Sequence, residues 1–457
     1  MKKANSTIFR AYDIRGVYIE DISSEIFLEL GKAFGTYVKR KGKSIVTVGG
    51  DIRASTQALL FSFTAGVMST GVSCDLVEKS PLGITLFNSF EKDFVASAFI
   101  TASHLPPNWN GVKYYWGPGI GFSPQDNADV QKIYELSDFD EVDVFDIGRT
   151  SVVNPYSNYV NYLKSKFKFT KKFKIAVDCG NGATALIIPK LYQDLGFEVN
   201  SLFDDPDPRF PNRSSEPTEE SLSQFSDYIK NIDIDFGAGF DGDGDRCVFT
   251  DETGRVISAD TFGIIVSDYL LKTGSNNRIV INMECSLAME TYLESIGAEV
   301  SRIRVGHSFL SLEGKQKDAV FGVEASGHAI VPSVFLFDDA MILPLIFAEA
   351  LEFKQKSVSE LAKEVKLPIK KRFDFKCSDA SKFLVLEQIK PILIAEDGKI
   401  DDVDGISLTN QDGRILVRVS NTSPKLRITI ESMKQEGFDI IKSKFVEKIK
   451  QIIEENS

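Results

Sequence analysis

Histidine, tryptophan and cysteine are scarce in this chain of 457 residues, which has three His, two Trp and five Cys. The cysteines have no close-spaced pair, which argues against a structural zinc site and against a disulfide framework. We expect them to be buried free thiols. They are Cys74, Cys179, Cys247, Cys285 and Cys377.

Long apolar runs and excess positive charge are also missing. No stretch approaches the ~18 apolar residues that a membrane span needs, and the first residues lack the apolar segment of a secretory signal. Lys and Arg number 53 against 65 Asp and Glu, a net charge of −12 that disfavours nucleic acid backbones and anionic membranes. We therefore expect a cytoplasmic protein that binds neither nucleic acid nor a membrane.

The remaining composition is that of a globular chain, with 43% hydrophobic and 26% charged residues. At roughly 150 residues per domain, this length predicts about three domains. A strand–helix–strand pattern ending in a Gly-led strand occurs three times, from Ile45, from Ile175 and from Ile279. Such parallel crossovers are right-handed and place helices on the sheet faces. The pattern predicts three α/β domains, with one large shared sheet as the alternative.

The chain changes character after about Leu367. Short strands are predicted at 372–377, 406–408, 414–419 and 426–431, an Asp-Gly pair at 412–413 indicates a hairpin, and a helix closes the chain. This pattern predicts a small α+β domain on an antiparallel sheet. The expected fold is thus three tandem α/β domains with mixed sheets plus a C-terminal α+β domain, divided as 1–148, 149–254, 255–367 and 368–457.

The first polar loop of interest is Thr101–Lys113, which follows a predicted strand. Open α/β sheets hold ligands at the carboxyl ends of their strands, so Ser103 would be exposed there with His104 and Lys113 nearby. A turn with a capping serine is the plain alternative. A Ser103–His104 nucleophile pair is a weaker hypothesis, because neighbours in an extended segment point in opposite directions and no nucleophile elbow is present.

The second loop carries Asp241, Asp243 and Asp245, separated by glycines. Three carboxylates this close would raise one another's pKa unless a cation lies among them. Oxygen ligands suit magnesium or calcium. A calcium-binding EF-hand loop is the competing interpretation, because Glu252 falls at position 12 when Asp241 is counted as position 1. However, position 6, which needs glycine for the sharp turn, is Arg246. We therefore predict a magnesium site, with a solvated acidic turn as the alternative.

The third loop, Gly322–His328, follows shortly after Val305–Ser308. Its Glu, Ser and His side chains could bind sugar hydroxyls. The three histidines of the chain, His104, His307 and His328, all fall in such Gly- or Pro-bounded polar loops. For each histidine, a structural role and contact with a ligand are equally good interpretations.

The fourth loop, Arg418–Arg427, lies between two predicted strands. Its two arginines, hydroxyls and backbone N–H groups would suit a phosphate, since arginine binds phosphate in a bidentate manner. A polar hairpin turn without a ligand is the alternative.

These four loops, in this order, together with the opening segment Phe9–Gly16, resemble the α-D-phosphohexomutase superfamily over nearly the full length. The resemblance is greatest to its phosphomannomutase/phosphoglucomutase branch. It implies four domains around a central cleft and a reversible transfer in which phosphorylated Ser103 gives its phosphoryl group to a hexose phosphate. A hexose 1,6-bisphosphate intermediate, also the activator, would turn in the cleft and return its other phosphate. The net reaction would interconvert the 6-phosphate and the 1-phosphate of mannose or glucose.

The resemblance also implies a role for individual residues. A phosphoserine oxygen of Ser103 would join Asp241, Asp243 and Asp245 in holding Mg²⁺. Beside Ser103, the catalytic residues would be Lys113, His307 and Arg246. The substrate-binding residues would be Tyr12, Arg15, His104, Glu324, Ser326, His328, Arg418, Ser420, Asn421, Thr422 and Arg427.

Some positions depart from the usual family pattern. Leu105 occupies a position where the family commonly has Asn, and Gly50 one where it commonly has Arg. Val419 replaces a frequent Pro and Ser423 a common Glu. These differences leave the preferred sugar open. Asn421 favours the mannose/glucose branch over phosphoglucosamine mutase, where Gly is usual. Phosphoglucosamine mutase and a magnesium-dependent sugar phosphohydrolase remain the enzymatic alternatives, and a calcium-binding scaffold protein is the non-enzymatic one.

Overall fold

The structure is a computed structural model that describes residues 6–10, 12–92, 96–420 and 424–456. Four separate sheets of seven, five, four and five strands follow one another along the described chain. The predicted fold class is therefore confirmed, and the alternative of one large shared sheet is wrong. The boundaries at 148, 254 and 367 stay predictions.

The first sheet is mixed and has the order β1-β5-β4-β2-β3-β7, with β6 beside β5. Strands β2, β3 and β4 run parallel, whereas β5 is antiparallel to β4 and β1. β7 lies beyond residue 148 yet pairs with β3, so this sheet extends to Val152. Its elements are β1 (Ile14–Val17), α1 (Ser24–Arg40), β2 (Ile45–Gly50), α2 (Thr56–Ser69), β3 (Ser73–Lys79), α3 (Leu82–Glu91), β4 (Ala96–Ile100), β5 (Trp109–Trp116), β6 (Ile120–Gly121), α4 (Pro124–Leu136) and β7 (Thr150–Val152).

The second sheet has the order β12-β11-β10-β8-β9, with β8, β9 and β10 parallel. The strand before the acidic loop, β10, starts at Phe236. β12 carries this sheet beyond residue 254, to Ile257. Its elements are α5 (Tyr156–Lys166), β8 (Lys174–Asp178), α6 (Ile188–Asp194), β9 (Glu198–Leu202), α7 (Ser223–Ile229), β10 (Phe236–Phe240), β11 (Cys247–Thr250) and β12 (Val256–Ile257).

The third sheet has the order β14-β13-β15-β16, in which only β16 is antiparallel to its neighbour. Helices cover it, as the crossover rule requires. Its elements are α8 (Ala259–Thr273), β13 (Arg278–Asn282), α9 (Leu287–Ser295), β14 (Glu299–Ile303), α10 (His307–Gln316), β15 (Phe321–Val323), β16 (Ala329–Ile330), α11 (Leu343–Lys354) and α12 (Val358–Glu364).

The fourth sheet is antiparallel throughout, in the order β17-β21-β20-β19-β18. The predicted Asp-Gly hairpin joins β19 to β20, where Asn410 pairs with Gly413. Its elements are β17 (Ile369–Lys376), α13 (Lys382–Ile394), β18 (Lys399–Asp401), β19 (Ile406–Asn410), β20 (Gly413–Val419), β21 (Lys425–Ser432) and α14 (Gln435–Glu455).

The buried core joins the first three sheets and leaves the fourth separate. One apolar cluster runs from Phe87 through Tyr192 to Phe347, whereas the C-terminal sheet packs α13 and α14 around its own cluster. At one junction Gly119, with φ +97°, lies so close to Phe337 that a Cβ would stand 2.2 Å from its ring. The five cysteines are free and buried. No helix in the described part of the chain is both long and apolar enough to cross a membrane.

Candidate active site

The four polar loops meet at one cavity of about 570 Å³ that borders all four sheets. Asp241 and Asp243 are buried and do not line it, whereas their neighbour Asp245 does. Asn421 and Thr422, as well as Ser423, lie outside the described residues. The other predicted site residues all line the cavity: Tyr12, Arg15, Ser103, His104, Lys113, Asp245, Arg246, His307, Glu324, Ser326, His328, Arg418, Ser420 and Arg427.

The serine loop starts where β4 ends and turns sharply at Ser103, whose φ is +52°. This left-handed turn brings the Ser103 Oγ to 3.3 Å from His104 Nδ1. The expectation that the two side chains point in opposite directions is therefore wrong, because it assumed an extended backbone. Burial, and then the positive charge of Arg246, hold the pKa of His104 well below its usual range, so this ring is neutral.

Arg53, which is not among the residues predicted from the sequence, holds the serine loop in place. Its guanidinium donates hydrogen bonds to the carbonyl oxygens of Ser103 (2.7 Å), Leu105 (2.7 Å), Pro106 (2.6 Å) and Trp109 (3.1 Å). The side chain is fully buried. The available signal was a charged residue in the turn directly after the buried strand β2.

Asp51 holds Arg53 in turn. Its Oδ2 accepts a hydrogen bond from Arg53 Nε (3.1 Å) and from Thr101 Oγ1 (2.8 Å). Thr101 Oγ1 also accepts from the backbone N–H of Ser103 (2.8 Å). A buried network of this kind rigidifies the backbone that carries the serine.

The acidic loop joins the antiparallel strands β10 and β11, so strands rather than the helices of a calcium hand flank it. The oxygens of Asp241, Asp243 and Asp245 lie within 4.8 Å of one another, all buried. Ser103 Oγ donates to Asp241 Oδ2 at 3.1 Å. Burial, together with the charges of Asp245 and Asp243, raises the pKa of Asp241 well above its usual range.

Two buried oxygens in this loop, Asp243 Oδ1 and Asp245 Oδ1, have no hydrogen-bond partner among the described residues. Orphaned buried carboxylate oxygens are costly and suit a hard cation such as Mg²⁺, which takes oxygen ligands. The residues therefore fit the metal that the sequence predicts at this loop.

Lys113, on β5, balances part of that negative charge. Its Nζ lies 2.9 Å from Asp243 Oδ2 and contacts Asp245. Burial lowers the pKa of Lys113, but the charges of Asp243 and Asp245 outweigh burial and raise it above the usual value. Lys113 is therefore a charged group that can stabilise negative charge beside the acidic loop.

A second missed residue, Asp338, orients His328. Its Oδ2 lies 2.7 Å from His328 Nδ1, while Arg246 Nε donates to His328 Nε2 at 2.9 Å. Although burial opposes it, the charges of Asp245 and Asp338 raise the pKa of His328. The hydrogen bond from Arg246 nevertheless requires an unprotonated Nε2, so the resting ring carries its proton on Nδ1, toward Asp338.

His307 differs from His328 in having no acidic partner. Its two ring nitrogens are buried without a hydrogen bond from any described residue. The ring packs edge-on against Tyr12 with centroids 5.4 Å apart. Burial, and then Lys113, lower the pKa of His307 well below its usual value, so the ring is neutral and a weak base.

The third loop joins β15 to β16 and presents a carboxylate to the cavity. Glu324 Oε1 accepts a hydrogen bond from the backbone N–H of Gly306 at 2.8 Å, and Ser326 Oγ donates to Oε2 at 3.1 Å. Two partners thus hold the Glu324 carboxylate in one orientation, which suits it to accept hydrogen bonds from a sugar.

The fourth loop is the hairpin between β20 and β21, and it places Arg418 directly opposite Arg427. Arg418 is buried and forms ion pairs with Asp404 (3.1 Å) and Glu284 (3.2 Å). Arg427 lies 3.8 Å from Asp374. Adjacent arginines in a closed pocket make a ready anion site once an anion displaces some of these carboxylates.

The four sheets and this site define the class of the protein, a phosphohexomutase, which is an isomerase. Models of the four domains of phosphoglucomutase/phosphomannomutase match the chain in order: α/β/α domain I at residues 6–141, domain II at 157–254, domain III at 258–367 and the C-terminal domain at 374–448. The chain belongs to the phosphoglucomutase/phosphomannomutase family.

Among similar proteins, a probable phosphoglucosamine mutase of Pyrococcus horikoshii is 31% identical over 98% of this chain and 99% of its own length. A phosphoglucomutase/phosphomannomutase of Thermococcus kodakarensis is 32% identical over 94% and 95%. A family member of known structure from Burkholderia thailandensis, 24% identical, superimposes with a TM-score of 0.90 over 98% of each chain, which shows the shared fold.

Proposed function

We propose that this enzyme interconverts the 6-phosphate and the 1-phosphate of a hexose through phosphorylated Ser103, and that glucosamine phosphate is its principal substrate. The observation that carries the reaction is the Ser103 hydroxyl at 3.1 Å from the acidic triad, in the same cavity as the paired arginines of the fourth loop. One end of the cavity thus suits a transferable phosphoryl group and the other a bound phosphate.

The names of similar proteins support the choice of sugar. Phosphoglucosamine mutases of Pyrococcus horikoshii and Methanocaldococcus jannaschii are 31% and 28% identical to this chain over almost its whole length. This outweighs the single-residue argument from Asn421, which favours mannose or glucose. Those two sugars remain the second candidate, because the Thermococcus kodakarensis relative is named phosphoglucomutase/phosphomannomutase.

Three aspartates and a phosphoserine oxygen would hold Mg²⁺, and the bound ion lowers the charge on a transferring phosphoryl group. Lys113 stabilises negative charge at the same place. By the resemblance, Arg246 lies beside the phosphoserine, and it lines the same cavity as Ser103. By the same resemblance, His307 is the catalytic histidine beside Lys113, and His328, whose Nδ1 lies 2.7 Å from Asp338, contacts the sugar.

At the far end of the cavity, Arg418, Arg427 and Ser420 hold the phosphate that does not react, as Asn421 and Thr422 would by resemblance. Glu324 and Ser326 bind the sugar hydroxyls, with Tyr12, Arg15 and His104 around them. Such anchoring contributes orientation. Ser103 is about 1% exposed, which limits the access of water and favours transfer to a sugar over hydrolysis.

The experiment follows glucosamine, glucose and mannose 6-phosphates by phosphorus NMR with Mg²⁺ and a trace of the matching bisphosphate. The wild type should form 1-phosphates, fastest for glucosamine, and Ser103→Ala should form none. Ser443→Ala, which changes an exposed serine on α14, should behave as wild type. Release of inorganic phosphate at a steady rate would instead establish the phosphohydrolase, and a faster reaction of glucose or mannose would overturn the assignment of the sugar.

A further inference from the structure

One carboxylate of the cavity has no part in the chemistry described so far. Glu284 follows β13, at the carboxyl end of the third sheet, and its side chain is 13% exposed. Its Oε1 lies 3.2 Å from Nη1 of Arg418, which belongs to the fourth sheet. Lys370, on β17 of the fourth sheet, donates a hydrogen bond from its Nζ to the backbone carbonyl oxygen of Glu284. The carboxylate therefore reaches from the third sheet into the anion site of the fourth.

The surroundings of Glu284 keep it ionised. Burial raises the pKa of Glu284, but the positive charges around it outweigh burial and lower the pKa below its usual value. These charges come from β17, β20 and β21, the strands of the fourth sheet that face it. They are Arg418, Arg427, Arg372 and Lys370.

An ionised carboxylate at a phosphate site works against the binding of most sugar phosphates. A phosphate that pairs with Arg418 competes with Glu284 for this arginine. It also brings negative charge next to the Glu284 carboxylate, and the repulsion between the two is unfavourable in a buried site. Asp404 does not relieve this, because it is a second carboxylate, 3.1 Å from the Nε of Arg418. A ligand that carries a positive charge next to its phosphate removes the conflict.

Glucosamine 1-phosphate is such a ligand, because its ammonium group stands on the carbon next to the phosphorylated one. With its phosphate on Arg418, the ammonium lies beside the carboxylate that the phosphate has released. We propose that Glu284 is the specificity-determining residue of this site and selects the amino sugar by pairing with its ammonium group. This inference rests on the proposed function.

The assignment predicts a dependence on the orientation of the ligand. When the 6-phosphate occupies the anion site, the ammonium lies at the opposite end of the ring, beyond the reach of Glu284. Glucose 1-phosphate carries a neutral hydroxyl in place of the ammonium. Of the three ligands, only glucosamine 1-phosphate gains from Glu284, by about tenfold or more in affinity, the usual size of a charge-assisted hydrogen bond.

The test measures binding by calorimetry in full-length Ser103→Ala protein, in which no phosphoryl transfer competes. Glucosamine 1-phosphate should bind about tenfold more tightly than glucose 1-phosphate, and Glu284→Gln should abolish this difference while changing the affinity for glucosamine 6-phosphate less than threefold. Glu294→Gln, on the exposed face of α9, should keep the difference. Raising the pH through the titration of the ligand's amine should also remove it.

Two further variants separate recognition from damage to the fold. Glu284→Asp keeps the charge and should retain part of the preference. Asp404→Asn, which alters the contacts of Asp404 with Arg418 and with the backbone N–H of Val305, should change the affinity for both 1-phosphates by the same factor. A preference that survives in Glu284→Gln, or an equal loss for both 1-phosphates in that variant, overturns the inference. Failure of the proposed function would be visible separately, as the absence of glucosamine phosphate turnover by the wild type.

Discussion

Replacing Arg53 by lysine tests whether this side chain, far from the chemistry in sequence, positions the nucleophile. Arg53 donates to four carbonyl oxygens between Ser103 and Trp109. A lysine ammonium keeps the charge opposite Asp51 but lacks the planar fork that reaches all four. At least two carbonyls in the buried loop therefore lose their donor.

The magnitude follows from these bonds. Two lost hydrogen bonds to a charged donor, at about 1.5 kcal/mol each, disfavour the observed loop by about 3 kcal/mol. At about 1.4 kcal/mol per decade, this corresponds to roughly a hundredfold loss of enzyme with a correctly placed Ser103. Since the domains keep their cores, we expect kcat/KM to fall by about this factor while the chain stays folded, as circular dichroism would verify.

The assay is mutase turnover of Arg53→Lys beside a matched control. Arg40→Lys changes an arginine that pairs with Asp138 and Asp140 at the surface, where solvent screens ion pairs, so its activity should stay near wild type. Hydrogen exchange of the loop should rise in Arg53→Lys only. If Arg53→Lys kept activity within threefold of wild type, the backbone alone would hold the loop and the reasoning would be refuted.

Three further perturbations test other parts of the structure. In thermal unfolding, Mg²⁺ at about a hundred times its Kd should stabilise the wild type by about 2.7 kcal/mol. Asp243→Asn should lose this stabilisation, whereas the control Asp233→Asn, which changes an exposed aspartate, should keep it. If Mg²⁺ did not stabilise the wild type, the proposed metal site would be excluded. Burial raises the pKa of Asp339 to about 7, so the stability it contributes is complete below about pH 4, where the unfolded carboxyl titrates, and is lost as the pH rises through about 7. Between about pH 4 and pH 7 the urea midpoint of Asp339→Asn should fall less than that of the wild type. If the midpoints of both proteins fell equally with pH, the raised pKa of Asp339 would be contradicted. Gly83→Ala would bring a Cβ to 2.4 Å from the Asp339 carboxyl group and should lower the free energy of unfolding by about 1–3 kcal/mol in urea denaturation. A more stable variant would show that the contact between Gly83 and Asp339 adjusts without strain.

Several features that the sequence could not predict involve residues far apart in the chain. Asp338 is recognisable only after folding brings it to 2.7 Å from His328 and beside the acidic loop. Glu284 belongs to the third sheet but acts on Arg418 of the fourth. Neither follows a local pattern, because nothing in the residues around a carboxylate encodes which distant cation it will meet.

The geometry of Ser103 and His104 was missed for a different reason. An extended backbone separates the side chains of neighbours, whereas the left-handed φ of Ser103 brings them together. That conformation is uncommon outside glycine, and the surrounding contacts, among them the Arg53 hydrogen bond to the Ser103 carbonyl, stabilise it.

The sequence by itself determined the fold class, the four loops and the family, because hydrophobic periodicity, Gly-led turns and the spacing of the aspartates are local properties of the chain. Half of the residues that line the cavity were also among the predicted site residues. Only the tertiary structure decided how the four sheets close on that cavity, which histidine has an acidic partner, and which carboxylates pair with Arg418 and Arg427. These features depend on contacts between distant residues and on the charge and burial that each group acquires when the chain folds.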